Sequence, residues 1–397
     1  MDFRDTPDEA AFRAELRSWL RESWAEHAPG GGPGAGRPET DFHRTWSRLL
    51  FDAGYVGLTW PTEYGGRGLS PTYQAIYYEE TAAAGAAGHL GVIGLNMAGP
   101  TIISWGSDEQ KQRLLPPLLS GEEIWCQGFS EPGSGSDLAG ARTRAQLVSE
   151  LDGDHWVVNG QKVWSSGAQI ADWCILVVRT DPDVPKHHGL SYLLVDMHAP
   201  GVTVRPLRQI TGDPEFNEIF FDDVRVPADS MLGSPGDGWK VAMTTLLHER
   251  GTLSFAFTAA LQRNVDLLIE LAGEPALDGR VPADDPLVRD AVAREWIELQ
   301  ALRFTNYRML STLLRTGTPG PEGSIAKLVW SEANQRLSKL AVRMQGLSGA
   351  TEGPDAPTDG YWQYQQFRSR GNTIEAGTSE ILRNITAERV LGLPRSR

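Results

Sequence analysis

The spacing of hydrophobic positions changes twice along the chain. From Pro7 the apolar residues Phe12, Leu16, Trp19 and Leu20 recur at steps of three and four, the period of a helix with one buried face. Thr6, Pro7, Asp8 and Glu9 supply an N-cap, a first-turn proline and two first-turn acids to open that helix. Further helices are predicted over Pro71 to Glu80 and after Ser107, where Ser107 and Gln110 stand at capping-box spacing. Residues 1–121 therefore read as an N-terminal α-helical domain. Within it the run APGGGPGAGRPET, from Ala28 to Thr40, has neither period and reads as a loop.

The pattern then turns to short β-prone runs. HWVVNGQKVW places two such runs around Asn159-Gly160, a hairpin signal, and WCILVVRT, LSYLLVDM and EIFFDDVRVP follow as further strands. A central β-domain is predicted over residues 122–232. From Trp239 the helical period returns, over Gly238 to Gly273, Asp285-Pro286 through Leu313, Ser324 to Arg343 and Ser379 to Val390. Four helices in a row predict a C-terminal bundle over residues 233–397. The fold class is thus α+β multidomain: helical, then β, then helical.

A formal net charge of -14 over 397 residues argues against nucleic acid as the main partner, because phosphate backbones are held by clustered Lys and Arg. The two cysteines, Cys126 and Cys174, are too few for a disulfide framework or a zinc knuckle and read as buried thiols. The longest apolar run, Cys174 to Val178, falls far short of a membrane span, and the acidic start is unlike a signal peptide, so a cytoplasmic location is expected. Several catalytic signatures fail on inspection. HERGT has Thr252 where a zinc helix needs its second histidine, GSGSDL has Leu138 where a dinucleotide loop needs glycine, and GFSEP has Pro132 where a nucleophile elbow needs glycine.

CQGFSEPGSGSDLAG (Cys126 to Gly140) offers hydroxyls, glycines and backbone N–H groups able to meet the edge of a planar heterocycle, although composition alone also fits an ordinary Gly/Ser loop. KVWSSGAQ adds Trp164, readable either as an aromatic face beside hydroxyl donors or as a core tryptophan. Together SEPGSGSD, NGQKVWSSG, FNEIFFDDVRVP, MQGLSGA and GTSEILRN, in this order and spacing, resemble the acyl-CoA dehydrogenase family over nearly the whole chain.

The resemblance implies a non-covalent FAD and an N-terminal α-domain, central β-domain and C-terminal four-helix bundle. On the matching positions, Phe129 and Ser130 would meet the flavin pyrimidine edge, Trp164 would stack against the ring and Ser166 would approach N5. Gln345, Gly346 and Gly349 would hold the ADP half of FAD from a neighbouring subunit, with Thr378 and Glu380 in the same shell. Thr378 also fits a plain N-cap. Ser136 would stand near the CoA portion of the substrate, although a Gly-Ser-Asp turn explains it equally well, and Arg250 would stand on the substrate side. Relatives carry an Arg before an FG turn where this chain reads EPALDGRVPADDP, and Arg280 is the nearest substitute.

The implied reaction removes an α-proton and a β-hydride from an acyl-CoA thioester. Many relatives place the base immediately before the Gly-Thr pair, but that position is Ala376 here, and Glu375 lies one residue early. In an extended segment one step turns the side chain to the other face, so Glu375 is only the runner-up. The isovaleryl-CoA and long-chain types instead carry the base on the helix here reading WKVAMTTLLHERGTLSFA. There Trp239, Ala242, Leu246, Glu249, Leu253 and Ala256 form a helical stripe with Glu249 in apolar company. Burial raises a carboxyl pKa, as a general base requires, and the adjacent Arg250 would limit and orient it; a structural Glu–Arg pair is the alternative. Glu249 is expected to be the base, and the Ala376 backbone N–H the donor to the thioester carbonyl.

The resemblance leaves three readings: a dehydrogenase passing electrons to an electron-transfer flavoprotein, an oxygen-using oxidase or monooxygenase of the same fold, and a non-catalytic subunit of a mixed oligomer. It implies a homo-oligomer, as a dimer or homotetramer, with a hetero-oligomer as the variant, and a place in lipid metabolism.

Overall fold

The computed structural model describes residues 4–28, 40–151, 153–249, 253–317, 320, 323–351, 353 and 356–395, with Glu249 described in its backbone alone. The loop expected from Ala28 to Thr40 therefore lies almost wholly outside the described residues. Among those described, five helices come first: α1 (Pro7–His27), α2 (Thr40–Asp52), α3 (Pro71–Ala83), α4 (Gly99–Trp105) and α5 (Asp108–Ser120). Seven strands follow: β1 (Trp125–Gly128), β2 (Arg144–Glu150), β3 (Gly153–Ser166), β4 (Trp173–Arg179), β5 (Leu190–Asp196), β6 (Val202–Leu207) and β7 (Phe216–Pro227). The chain then returns to helices: α6 (Gly238–Glu249), α7 (Leu253–Gly273), α8 (Pro286–Thr316), α9 (Gly323–Met344), α10 (Tyr361–Asn372) and α11 (Ser379–Ile385). No helix among the described residues is long and apolar enough to cross a membrane.

The chain divides into two compact units. One comprises Met1–Phe42, Leu69–Ala87 and Arg250–Arg397, and the other His43–Gly68 and Gly88–Glu249. The first is helical. Thr6 opens α1 with a reciprocal capping box, its hydroxyl accepting from the Glu9 amide while its own N–H donates to the Glu9 carboxylate at 2.8 Å. Helices α7, α8, α9 and α10 pack as the bundle around Leu261, Val265, Leu268, Leu299, Leu337, Ala341 and Trp362. The fourth member of that bundle differs from expectation. The predicted segment Ser379 to Val390 forms the short α11 and a π turn against α9, whereas α10 supplies the fourth wall. YWQYQQFRSRGN hides this role because it is polar, and its N-cap glycine makes no side-chain hydrogen bond. The helix expected over Gly238 to Gly273 is described as α6 and α7, with residues 250–252 between them outside the described residues.

The second unit is built on a mixed seven-stranded sheet in the order β1-β4-β2-β3-β7-β6, with β5 paired to β4. β4 and β5, paired antiparallel, are apolar runs buried on both faces. The Asn159-Gly160 hairpin is not formed. Both arms belong to the single strand β3, which pairs antiparallel with β7 on one side and β2 on the other, and the ladder to β7 slips between Val158 and Gly160. An Asn-Gly pair makes a hairpin only when its arms pair with each other; here each arm finds another strand. Asn159 instead exchanges hydrogen bonds with Asp223, donating at 2.8 Å and accepting at 3.1 Å. Gly160 stands at φ 151, where a Cβ would come within 2.7 Å of the Thr143 Cα. β2 escapes prediction because its residues are mostly exposed, and β6 because Pro206 interrupts it.

Gly160→Ala is expected to lower unfolding stability by about 1–3 kcal/mol, since the added methyl must displace Thr143 backbone. Urea unfolding measures this, and a variant as stable as wild type would show that the bulge yields freely.

Candidate active site

In the second unit the segment leaving β1 folds back on β3. Glu131 and Ser134 exchange backbone hydrogen bonds of 2.8 and 3.0 Å, and the Val163 N–H donates to the Ser130 carbonyl at 2.9 Å. The fixed point is Lys162. Its ammonium is 0% exposed and donates to the Glu131 carboxylate at 2.8 Å and the Phe129 carbonyl at 3.1 Å. Glu131 also accepts from the Arg142 and Thr143 amides at 2.7 and 2.8 Å. Burial pushes the Lys162 pKa down, with Glu131 opposing. Burial works to raise Glu131, but the Lys162 charge and the two amides prevail and hold it below the ordinary carboxylate value. The Glu131 carboxyl, held low, is therefore ionised at neutral pH.

Two residues beyond Lys162, the β3–β7 ladder slips again between Lys162 and Ser165. Trp164 occupies this bulge at φ 62, a strained conformation for so bulky a residue, and is 60% exposed. The core-tryptophan alternative is thereby excluded. Phe216 meets its ring edge-on at 6.0 Å, and Ser166 stands opposite Phe216 in the ladder. Phe129 is buried edge-on to Tyr192, and Ser130 is half-buried. The structure thus brings Phe129, Ser130, Trp164 and Ser166 into one neighbourhood around Lys162. Ser136 is exposed on the following turn, where Lys186 pairs with Asp137 at 2.7 Å.

Glu249 ends α6. Four residues earlier the buried Thr245 hydroxyl meets those of Thr101 and Tyr192, each at 2.9 Å, pinning the helix to α4 and β5. The Glu249 side chain and the whole of Arg250 lie outside the described residues. Cys126 and Cys174 are buried free thiols, neighbours across the parallel β1–β4 pair.

The remaining candidates belong to the first unit. Gln345 follows α9 and is buried; its oxygen accepts from Gln363 at 2.8 Å, while its own Nε2 and the Ser348 hydroxyl lack a partner among the described residues. Gly346 has φ 60, and Gly349 approaches the Val342 carbonyl so closely that a Cβ would sit 2.4 Å away. Thr378 caps α11, accepting from the Ile381 N–H at 3.2 Å, so its hydroxyl is engaged as the N-cap reading predicted. Glu380 is exposed in the first turn of α11, where its own amide and the Thr378 hydroxyl hold its carboxyl below the usual value. Arg280 is exposed and pairs with Asp278 at 2.8 Å.

The segment before Gly377 is a turn, not the extended strand assumed from sequence. Ala376 adopts φ 52, so the alternation rule does not govern Glu375. The Glu375 carboxylate accepts from Arg368 at 3.1 and 3.2 Å and from Asn372 at 2.7 Å. The N–H of Ala376, a half-buried residue, has no hydrogen-bond partner among the described residues. A separate cavity of about 660 Å³, lined among others by Arg13, Glu80, Phe255, Thr258 and Asn306, contains none of the residues expected to carry chemistry.

These features fit a flavin: an outward, strained tryptophan beside serine hydroxyls, and a glycine turn with buried donors awaiting an acceptor. Sequence reasoning missed Lys162 and Glu131. The available signal was parity, because Lys162 falls on the buried phase of β3 shared with Trp156 and Val158.

Lys162→Met is expected to cost about 3–5 kcal/mol by leaving Glu131 buried and unpaired. Adding Glu131→Leu should recover part of that loss in urea unfolding. Strictly additive losses would show that the two charges do not stabilise each other.

Comparisons with known proteins identify the family. The acyl-CoA dehydrogenase N-terminal, middle and C-terminal domain models match residues 6–122, 126–224 and 236–391. The chain is 44% identical to acyl-CoA dehydrogenase IpdE1 of Mycobacterium tuberculosis (strain ATCC 25618 / H37Rv), over 98% of each chain. Among solved structures it resembles the Tcur3481-Tcur3483 steroid ACAD, with TM-score 0.84, 31% identity and full coverage of both chains (100% each). The ChsE4-ChsE5 complex from Mycobacterium tuberculosis is similar, with TM-score 0.83, 32% identity and 100% of each chain covered. With its three domains matched in order, the chain belongs to the acyl-CoA dehydrogenase family.

Proposed function

We propose that the protein is an FAD-dependent dehydrogenase that converts an acyl-CoA thioester to its 2,3-enoyl-CoA, with Glu249 as the base for the α-proton. The observation carrying this reading is the turn at Ala376. It offers a free N–H where many relatives have their carboxylate, and the neighbouring Glu375 has its oxygens committed to Arg368 and Asn372. A base must bring a free oxygen to the proton it removes, which disfavours Glu375 and leaves Glu249. The Ala376 N–H holds the thioester carbonyl and stabilises the negative charge that develops there as the α-proton leaves. FAD, when bound, accepts the β-hydrogen as hydride, which balances the two-electron oxidation.

Phe129 and Ser130 hold the flavin edge, Trp164 covers its face and Ser166 lies towards N5. Gln345, Gly346, Gly349, Thr378 and Glu380 serve its ADP side, and Ser136 and Arg250 face the substrate. The 31% identical neighbour described as a steroid ACAD supports a bulky, steroid-linked acyl group as substrate. An electron-transfer flavoprotein is the proposed acceptor of the electrons. Two neighbours are named as pairs of chains, which favours a mixed oligomer as the second reading. Under it, the chain purified alone would be flavin-poor and would gain flavin and activity on mixing with a homologous partner.

Anaerobic bleaching of bound flavin by straight-chain, branched and steroid-linked acyl-CoAs tests the main reading. Glu249→Gln should slow bleaching by roughly 10²–10⁴-fold, while Glu375→Gln retains most of the rate. Wild-type bleaching by Glu249→Gln would refute the assignment of the base.

A further inference from the structure

Three of the asparagines buried in the bundle of the first unit bond to one another where packing calls for apolar residues. Asn264 on α7, Asn334 on α9 and Asn372 at the end of α10 are 6%, 6% and 5% exposed. They form one directed chain. The Tyr361 hydroxyl donates to Asn264 Oδ1 at 2.5 Å, Asn264 Nδ2 to Asn334 Oδ1 at 3.2 Å, Asn334 Nδ2 to Asn372 Oδ1 at 2.8 Å, and Asn372 Nδ2 to Glu375 Oε1 at 2.7 Å. Each amide oxygen accepts from the residue before and each amide nitrogen donates to the residue after, so the series can end only on a group that accepts. A carboxylate meets that need. Buried amides cost stability unless paired, and a fully paired network fixes one arrangement of the helices that carry it.

The chain ends one residue before Ala376. Other anchors hold the same turn: Arg368 on the Glu375 carboxylate, buried Lys327 on the Gly377 carbonyl at 2.8 Å, and Gln335 Nε2 on the Thr373 hydroxyl at 2.9 Å. Ala376 itself lies between these held neighbours at φ 52, a conformation that a non-glycine residue keeps only when its surroundings impose it. We propose that Asn372, at the end of this buried amide relay and acting through Glu375, is a positioning residue that holds the Ala376 N–H in its left-handed orientation for the substrate carbonyl. The link to the carbonyl rests on the function proposed above. The mechanical link between relay and turn does not.

Two measurements on the FAD-loaded protein separate these claims. The first is a urea-unfolding cycle of Asn372→Leu and Ala376→Gly. Because glycine adopts positive φ freely, Asn372→Leu should destabilise less when combined with Ala376→Gly than when made alone; additive effects would overturn the proposal whatever the reaction. The second is steady-state kinetics with the acyl-CoA that bleaches the wild-type flavin fastest. Asn372→Leu should lower kcat on the order of 10- to 100-fold, the scale of a misplaced catalytic contact, with a smaller change in KM. Adding Ala376→Gly should raise kcat again, and Glu375→Gln, which keeps an oxygen for Asn372 to donate to, should outperform Glu375→Leu. Glu295→Gln weakens a different ion pair, between buried Glu295 and the partly exposed Arg336 at 3.0 Å, and controls for simple destabilisation; it should lower the unfolding midpoint and leave kcat intact. If Asn372→Leu behaves as Glu295→Gln does, the positioning role is overturned. If no acyl-CoA bleaches the wild-type flavin, the functional reading fails instead, and the unfolding cycle alone decides the relay.

Discussion

A lysine ammonium with no exposed surface must be matched by a carboxylate, and meeting that demand organises the β-unit around Trp164. Lys162 sits on the buried phase of β3, so its charge is withdrawn from water at a cost of several kcal/mol before any partner is counted. Glu131 supplies the partner only if the segment leaving β1 folds back across β3. Once it does, the Arg142 and Thr143 amides complete the carboxylate's hydrogen bonds, and the Phe129 carbonyl takes another ammonium proton. A pair of well-packed apolar residues can match such an ion pair in stability. Packing alone would not dictate where the Phe129–Ser130 backbone lies relative to the bulge that turns Trp164 outward, and the ion pair does.

The helical unit solves a similar problem with neutral groups. There Thr358, Asp359 and Ala376 are the non-glycine residues at positive φ among those described, and the anchor beside Ala376 is Glu375, the end of the asparagine series that crosses the bundle. In both units a non-glycine residue at positive φ follows a hydrogen-bonded charged anchor within two positions: Trp164 after the buried Lys162 and Ala376 after the part-buried Glu375. Buried polar groups and strained backbone each cost stability, and they coincide here where the sequence resemblance independently expects cofactor and substrate contacts. That coincidence is more specific than either feature alone, since strain persists only where the surroundings over-determine the conformation.

Much of this was legible in the sequence, and the failures share one cause. The N-cap at Thr6, the capping box at Ser107 and the apolar runs of β4 and β5 are local signals, and the structure carries them as predicted. The Asn159-Gly160 hairpin, the missed α10 and the assumed extended conformation at Glu375 were misjudged because a distant partner decided each of them. β7 claims both arms of β3, α9 gives α10 a surface to pack on, and Lys327, 50 residues away, holds the Gly377 carbonyl of the turn. Lys162, Asn264 and Asn334 sit at positions whose periodicity marks them as buried, so polarity out of phase was the readable clue. Its pairing partners were not readable, because Glu131 lies 31 residues from Lys162 and Asn264 lies 70 from Asn334.

Under the proposed assignment, with Glu249 as proton acceptor and the Ala376 N–H as carbonyl donor, alanine at position 376 makes physical sense. A glutamate there would have to reach the α-carbon from a backbone already committed to holding the carbonyl, so one short turn would serve two geometric demands. With alanine, the turn can be locked rigidly by its neighbours for the single task of presenting an N–H. The proposed base then depends on a different support, helix α6, whose buried Thr245 hydroxyl is bound to Thr101 and Tyr192 one turn before Glu249. A carboxylate that must meet one hydrogen needs a fixed Cα more than a crowded side chain, and a pinned helix end provides that fixed point.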